Sequence, residues 1–150
     1  MKTNKKYRKA VFVVTYQIKD AKPIYLILKR KLHWKGFEFP KGGIEFFESK
    51  KKAAIRELKE ETGLNILKIQ KHRYSGKYLY KKKFLDRTGI AGQTFSLYSV
   101  EAKDSKVKLD KKEHSNYQWL SFDKAVKKLT HSNQRKCLRI VNEWLKHDKI

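Results

Sequence analysis

The sequence is short of acids, cysteine and chain breakers. Of 150 residues, 15 are Asp or Glu, two are Pro, seven are Gly, one is Met and one is Cys. A lone Cys137 closes no internal disulfide and has no partners for a zinc cluster, which excludes both kinds of stapled scaffold. No apolar run approaches the roughly 18 residues that a spanning helix needs. The opening MKTNKKYRK leads into a β-branched stretch rather than the apolar centre of a signal peptide. A soluble, cytoplasmic chain is expected, with no membrane partner and no obligate protein partner evident. Hydrophobic content of 39% with 13% aromatics is too rich for a disordered chain. A chain of this length is expected to form one domain, residues 1–150, burying roughly two-thirds of its unfolded surface.

The scarcity of acids is matched by 38 Lys and Arg, for a net charge of +23. Such a balance suits polyanionic partners: nucleic acid, an anionic surface or phosphorylated small molecules. The basic set is 31 Lys against seven Arg. Arg is the better bidentate phosphate reader, so charge alone does not identify a binding site. The distribution of acids says more. Glu38, Glu45, Glu48, Glu57, Glu60 and Glu61 fall within 24 residues of an otherwise basic chain.

Residues 8–18 and 24–30 read as a hairpin split by Lys-Asp-Ala-Lys-Pro, and 34–47 as loop and short strand. Ser49 is the expected N-cap of a helix that runs to Thr62, with Gly63 in the C′ position. Residues 66–80 and 93–101 read as strands around a basic loop at 81–92, and 117–120 as a further short strand. Helices at 121–129 and 132–147, capped by Ser121 and Ser132, close the chain. On a helical wheel, Ala54, Leu58, Thr62 and Ile55 span about 0° to 100° and form the expected core stripe. Glu57, Glu60 and Glu61 share the neighbouring arc, and Glu57 and Glu61 are an i,i+4 like-charge pair. They also sit where the helix macrodipole disfavours anions. Two readings remain at this point. One is a solvated Glu/Lys face; the other is a seat for hard divalent cations, which carboxylates bridge to phosphate.

The wider spacing is Gly42, five residues, Glu48, seven residues, then Arg56-Glu57-Leu58-Lys59-Glu60-Glu61-Thr62-Gly63-Leu64. It resembles the signature box of the Nudix hydrolases at all nine constrained positions. The resemblance implies an α/β fold, an α/β/α sandwich around a mixed β-sheet. It also implies Mg²⁺- or Mn²⁺-dependent hydrolysis of a nucleoside diphosphate linked to another group. By position, Glu57, Glu60 and Glu61 would hold metal, helped by backbone carbonyls near Lys41 and Gly42. Arg56 would brace the carboxylates through Glu48. A metal-bound water ionises near neutrality and supplies hydroxide for attack at phosphorus. Glu60 is an alternative general base.

Further segments resemble the asymmetric dinucleoside tetraphosphate hydrolases within that family. Trp34 precedes Phe39-Pro40-Lys41-Gly42, with two more residues between Trp and Phe than the subfamily shows. Glu113-His114-Ser115-Asn116-Tyr117-Gln118-Trp119-Leu120 and Leu129-Thr130-His131-Ser132-Asn133-Gln134 are similar to its C-terminal run. The likeness implies that Glu113 is a loop carboxylate over the metals, as ligand or base. It implies phosphate contacts from His33, Lys41 and Lys83, and base stacking by Tyr80. His131 stands where relatives usually carry an aromatic ring. Trp119, Trp144, Leu145 and Val141 read as core.

Three functions follow. Hydrolysis of diadenosine tetraphosphate to ATP and AMP leads. An RNA 5′-end pyrophosphohydrolase, with a similar lead-in, also suits the charge. A non-catalytic basic nucleic-acid-binding module is the third, and it would have no need of the full set of box carboxylates.

Overall fold

A computed structural model describes residues 6–80 and 89–147. Strands β1 (Lys6–Lys19) and β2 (Lys22–Arg30) form the expected hairpin, although its loop is tighter than the sequence suggests. Only Asp20 and Ala21 lie between the strands, with φ of 52° and 65°, the left-handed pair that two-residue hairpins require. Short strands β3 (Gly36–Glu38) and β4 (Lys41–Gly43) follow, then helix α1 (Lys50–Thr62). Strands β5 (Ile66–Leu79), β6 (Ile90–Ala102) and β7 (His114–Ser121) and helices α2 (Phe122–Lys128) and α3 (Ser132–His147) complete the order.

The sheet is mixed. β1 runs parallel to β6, and every other pairing is antiparallel. The order along the sheet is β3-β2-β1-β6-β5, with β4 on β1 and β7 on β2. β1 and β2 pair only near their turn, from Tyr16–Tyr25 to Lys19–Lys22. Beyond that point the hairpin splays, and residues 36–43 fill the opening. β3 pairs with β2 on the edge facing away from β7, while β4 pairs with β1 on the edge facing away from β6. Val13 N–H donates to Pro40 O at 2.9 Å and locks the wedge. This inserted segment carries Glu38, Lys41 and Gly42 into the middle of the molecule.

Side-chain alternation along β1 sends residues to two cores. Val11 and Val13 meet Ala53, Ala54 and Leu58 of α1. Phe12, Val14 and Tyr16 meet Leu138, Val141 and Leu145 of α3 and Ala125 of α2. Helices therefore cover both faces, giving the α/β/α sandwich. Val141 and Leu145 are core as expected, while Trp119 and Trp144 pack against core clusters at partial exposure.

The first helix has the expected ends. Ser49 Oγ accepts from Lys52 N–H at 3.2 Å, and Gly63 sits at φ 68°, its N–H donating to Lys59 O. Its buried arc, however, is rotated from the expected stripe. Ala53 is fully buried and Ile55 is 40% exposed. On the wheel, the buried residues Ala53, Ala54, Leu58, Glu61 and Thr62 are centred about 60° towards the carboxylates. Ser121 takes the N-cap position of α2 as expected, although its side chain makes no cap bond. The third cap differs: α3 is opened by His131, whose carbonyl accepts from Arg135 N–H at 3.1 Å, and Ser132 is already its first residue. Among the described residues, no helix is long and apolar enough to cross a membrane.

Candidate active site

The wedge and α1 meet at two close contacts. Glu61 is 2% exposed, and its Oε2 accepts from Lys41 N–H at 3.0 Å. The Glu57 carboxyl lies directly over Gly42, and a Cβ at that glycine would fall among the carboxyl atoms. Here glycine is required for space rather than for backbone angle.

Arg56 organises the outer side. Its Nε and Nη2 grip Glu48 at 2.7 and 2.8 Å in a bidentate fork, and Nη2 also donates to Gly43 O at 2.8 Å. Nη1 donates to Glu57 at 2.9 Å and to Glu60 at 3.2 Å. These hydrogen bonds hold the Glu48 carboxyl down to about 2 and push the Arg56 guanidinium above its ordinary range. One arginine thus ties the β4–α1 loop to two carboxylates on the helix.

Beneath them lies a buried network that sequence reasoning missed. Glu38 is fully buried; its Oε2 accepts from Arg30 Nη1 at 3.0 Å and lies 2.7 Å from His114 Nε2. Its other oxygen lies 3.8 Å from Lys41 Nζ and has no hydrogen bond. Burial raises the Glu38 carboxyl most strongly, but Lys41, His114 and Arg30 together bring it to about 2. Burial pulls the Lys41 ammonium below its usual value despite the pull of Glu38. Arg30 Nη1 is also 3.5 Å from Glu113 Oε2. The loop before β7 is docked on the end of α1: Lys108 N–H donates to Thr62 O at 2.8 Å and Asp110 N–H to Glu61 O at 3.3 Å. Glu113 reaches the site through that docking. Glu61, Glu113 and His114 each bring a ligand atom within 4.8 Å of the others.

Arg30 and Lys41 both feel the Glu61 charge, but burial and the surrounding carboxylates outweigh them. Glu57 is raised to about 7, chiefly by burial, against Arg56 and with help from Glu60 and Glu113. Glu61 is raised well above the ordinary carboxylate range by burial, and then by Glu38, Glu57 and Glu113. Glu61 Oε1 is buried without a hydrogen-bond partner. An orphaned Glu61 oxygen beside the Glu113 carboxylate and the His114 imidazole, with the Glu57 carboxyl over Gly42, is an oxygen-rich set of the kind that binds hard divalent cations. The residues present fit a divalent cation. Chemically, such a site neutralises phosphate oxygens and holds acids able to accept a proton near neutral pH.

The remaining sequence candidates occupy other groups. His33, at φ 71°, places Nδ1 3.4 Å from Arg30 Nη2, one residue removed from Glu38 and Glu113. Tyr80 donates to Gln93 Oε1 at 3.1 Å, which Arg8 also approaches at 3.4 Å. His131 makes an edge contact with Trp34 at 4.4 Å, and Thr130 and Gln134 accept from Phe37 and Phe39 N–H, each at 2.9 Å. The 129–134 run therefore pins the wedge in place. Lys83 lies outside the described residues.

A family model described as the NUDIX domain matches residues 6–140. No curated protein matches the chain. Among solved structures, an Ap4A hydrolase of C. elegans in a binary complex is similar with TM-score 0.77 and 24% identity, over 93% of this chain and 98% of that one. The dihydroneopterin triphosphate pyrophosphohydrolase of E. coli gives 0.74 and 22%, over 91% and 97%. The NUDIX domain of Shewanella oneidensis NrtR, complexed with ADP ribose, gives 0.76 and 16%, over 95% and 90%. At these identities the likeness concerns the fold, and the names of the three neighbours refer to different nucleotides or pterins.

Proposed function

The chain belongs to the NUDIX domain family, and on that premise we propose that it hydrolyses dinucleoside polyphosphates, cutting diadenosine tetraphosphate to ATP and AMP. The observation that carries the reading is the buried, unpartnered Glu61 oxygen, with Glu113 and His114 within ligand distance of Glu61 and the Glu57 carboxyl over Gly42. Glu57, Glu60, Glu61 and Glu113, with the Gly42 carbonyl, are the proposed metal-holding groups. When bound there, Mg²⁺ or Mn²⁺ neutralises phosphate oxygens and makes hydroxide available near neutral pH.

The chain's own residues do the rest. Arg56 fixes the rotamers of Glu57 and Glu60 from one side, and the Lys41 N–H fixes Glu61 from the other. Glu57 is the proposed proton acceptor nearest neutrality, with Glu60 and Glu113 as the other candidates. Water adds to a phosphorus distal to one nucleoside, its proton passes to a carboxylate, and the P–O bond to the departing nucleotide breaks. Lys41 and His33 are proposed phosphate contacts, and Tyr80 and Lys83 are proposed to engage the nucleoside and phosphate. His131, beside Trp34, is the proposed second base-facing position. Support for a dinucleotide comes from Trp34, Phe39-Pro40-Lys41-Gly42 and the Glu113 and His131 runs.

Purified protein with Mg²⁺ is expected to release ATP and AMP in equal amounts from diadenosine tetraphosphate. No release, with ready cleavage of another nucleotide in the same panel, rejects the substrate. The charge of +23 favours one second reading, removal of pyrophosphate from triphosphorylated RNA 5′ ends. Turnover on RNA that falls steeply with salt, while dinucleotide turnover is absent, selects it.

A further inference from the structure

At the opposite end of α1 from Glu57, Glu60 and Glu61, no helix among the described residues covers the sheet. Lys9 of β1, Thr94 of β6 and Lys77 of β5 stand in one cross-strand row. The next row places Ser96 and Ser75 beside Val11, the residue on which α1 begins to pack. Alternation puts Lys9 on the same face as Val11 and Val13, which is the α1 face. There the structure has a groove of about 450 Å³, closed at one side by Ile44 and Lys50. Among the described residues, three of its lining side chains are lysines, three are hydroxyls and none is acidic. Strand spacing separates the Lys9 and Lys77 backbones by roughly 10 Å.

Both ends of the β4–α1 loop line this groove, and between them stand Phe46 and Phe47. They are 88% and 93% exposed, with ring centroids 4.1 Å apart. Phe47 is held at φ 64°, a strained conformation for a bulky residue. The loop's two acids are turned to Arg56 instead. Tyr7, two residues before Lys9, carries Lys77 over its ring at 5.3 Å. Cations and hydroxyls for phosphate and sugar, flanked by exposed rings, are the parts from which sequence-tolerant single-strand sites are built. We infer that this groove and the Phe46–Phe47 pair bind single-stranded polynucleotide, at a place separate from the carboxylates and whatever substrate they cleave.

The test is fluorescence anisotropy of a 12-nucleotide, 5′-hydroxyl single-stranded RNA, whose end offers the carboxylates no phosphate chain. The wild-type protein binds with a steep salt slope. Lys9→Gln/Lys77→Gln lowers that slope by about 1.4, the value for two phosphate contacts on a single strand. Phe46→Ser/Phe47→Ser weakens binding at least about fivefold at nearly unchanged slope. All four side chains are exposed, so turnover of diadenosine tetraphosphate, or of whichever nucleotide the protein cleaves, stays at the wild-type level. Single variants replace either pair if it fails to fold. Equal RNA affinity in wild-type and variant proteins overturns the inference. So does equal affinity for duplex RNA, or binding only to phosphatidylserine vesicles with loss in the same variants.

Discussion

Glu48 and Glu61 bracket the same helix, and the protein treats them in opposite ways. Glu48 has a bidentate arginine, accepts from Glu45 N–H, and is held down to about 2. Glu61 has one backbone donor, three carboxylates nearby and one oxygen without a partner, and is pushed well up. A chain with 38 bases has no shortage of cations to offer. The contrast teaches that pairing here is selective. Glu48, which positions the loop, is neutralised by the protein, while Glu61 keeps an oxygen for a charge that the protein does not supply.

The sharpest way to break this contrast is to remove the two charges in turn. Glu61→Gln is expected to lower Mg²⁺-dependent turnover roughly a hundredfold or more, beyond what outer-shell changes cost metal sites. In metal-free protein at pH 8 the same variant is expected to melt higher than wild type, because it deletes a buried and poorly paired charge. Glu48→Gln should do the reverse for stability and melt lower. Thermal unfolding checks both signs, and equal shifts would erase the distinction.

Arg56→Ala comes next. It frees Glu48, Glu57 and Glu60 together, and a buried pair broken in this way costs about 3–5 kcal/mol. The fork is 23% exposed, so about 2 kcal/mol is expected. Arg56→Lys retains charge without the fork and should fall between the two in denaturant titration.

The pH dependence of metal-free stability follows from the same groups. Glu57, at about 7, and Glu61, also raised, bind protons more tightly when folded, so their contribution falls as pH rises from about 4.5 through 7. Glu38 and Glu48, both at about 2, add stability between about 2 and 4.5 and lose it on acidification. From these four groups, stability measured in a chelator peaks near the ordinary carboxylate pKa and declines towards neutrality. In Glu57→Gln the decline is shallower. The smallest expected effect is Glu60→Gln, at most about 0.5 kcal/mol in stability, since that carboxylate is 55% exposed.

Much of this was legible in the sequence because it rests on local chemistry. Ser49 and Gly63 set the ends of α1, the Lys-Asp-Ala-Lys-Pro segment marked the hairpin turn, and the Gly42-to-Leu64 spacing located the carboxylate segment. The Glu38, Arg30 and His114 network was not legible. It depends on registers that bring Leu28 opposite Glu38 and, across strands distant in sequence, Arg30 opposite His114. The rotation of α1 was missed for a related reason. A wheel ranks Ile55 above Ala53, but the close approach of β1 and β4 admits only the smaller side chain. Glu61 could then be buried at the centre of the helix's packed face, and no composition rule places a carboxylate there.

The central claim is that the acids over Gly42 are a cation site. Thermal unfolding at pH 8 across a Mg²⁺ titration tests it most directly, comparing wild type with Glu57→Gln/Glu61→Gln. The wild-type midpoint is expected to climb with concentration as ligand linkage requires, while the double variant starts higher and stays flat. A flat wild-type response, or the same climb in both proteins, would contradict the claim.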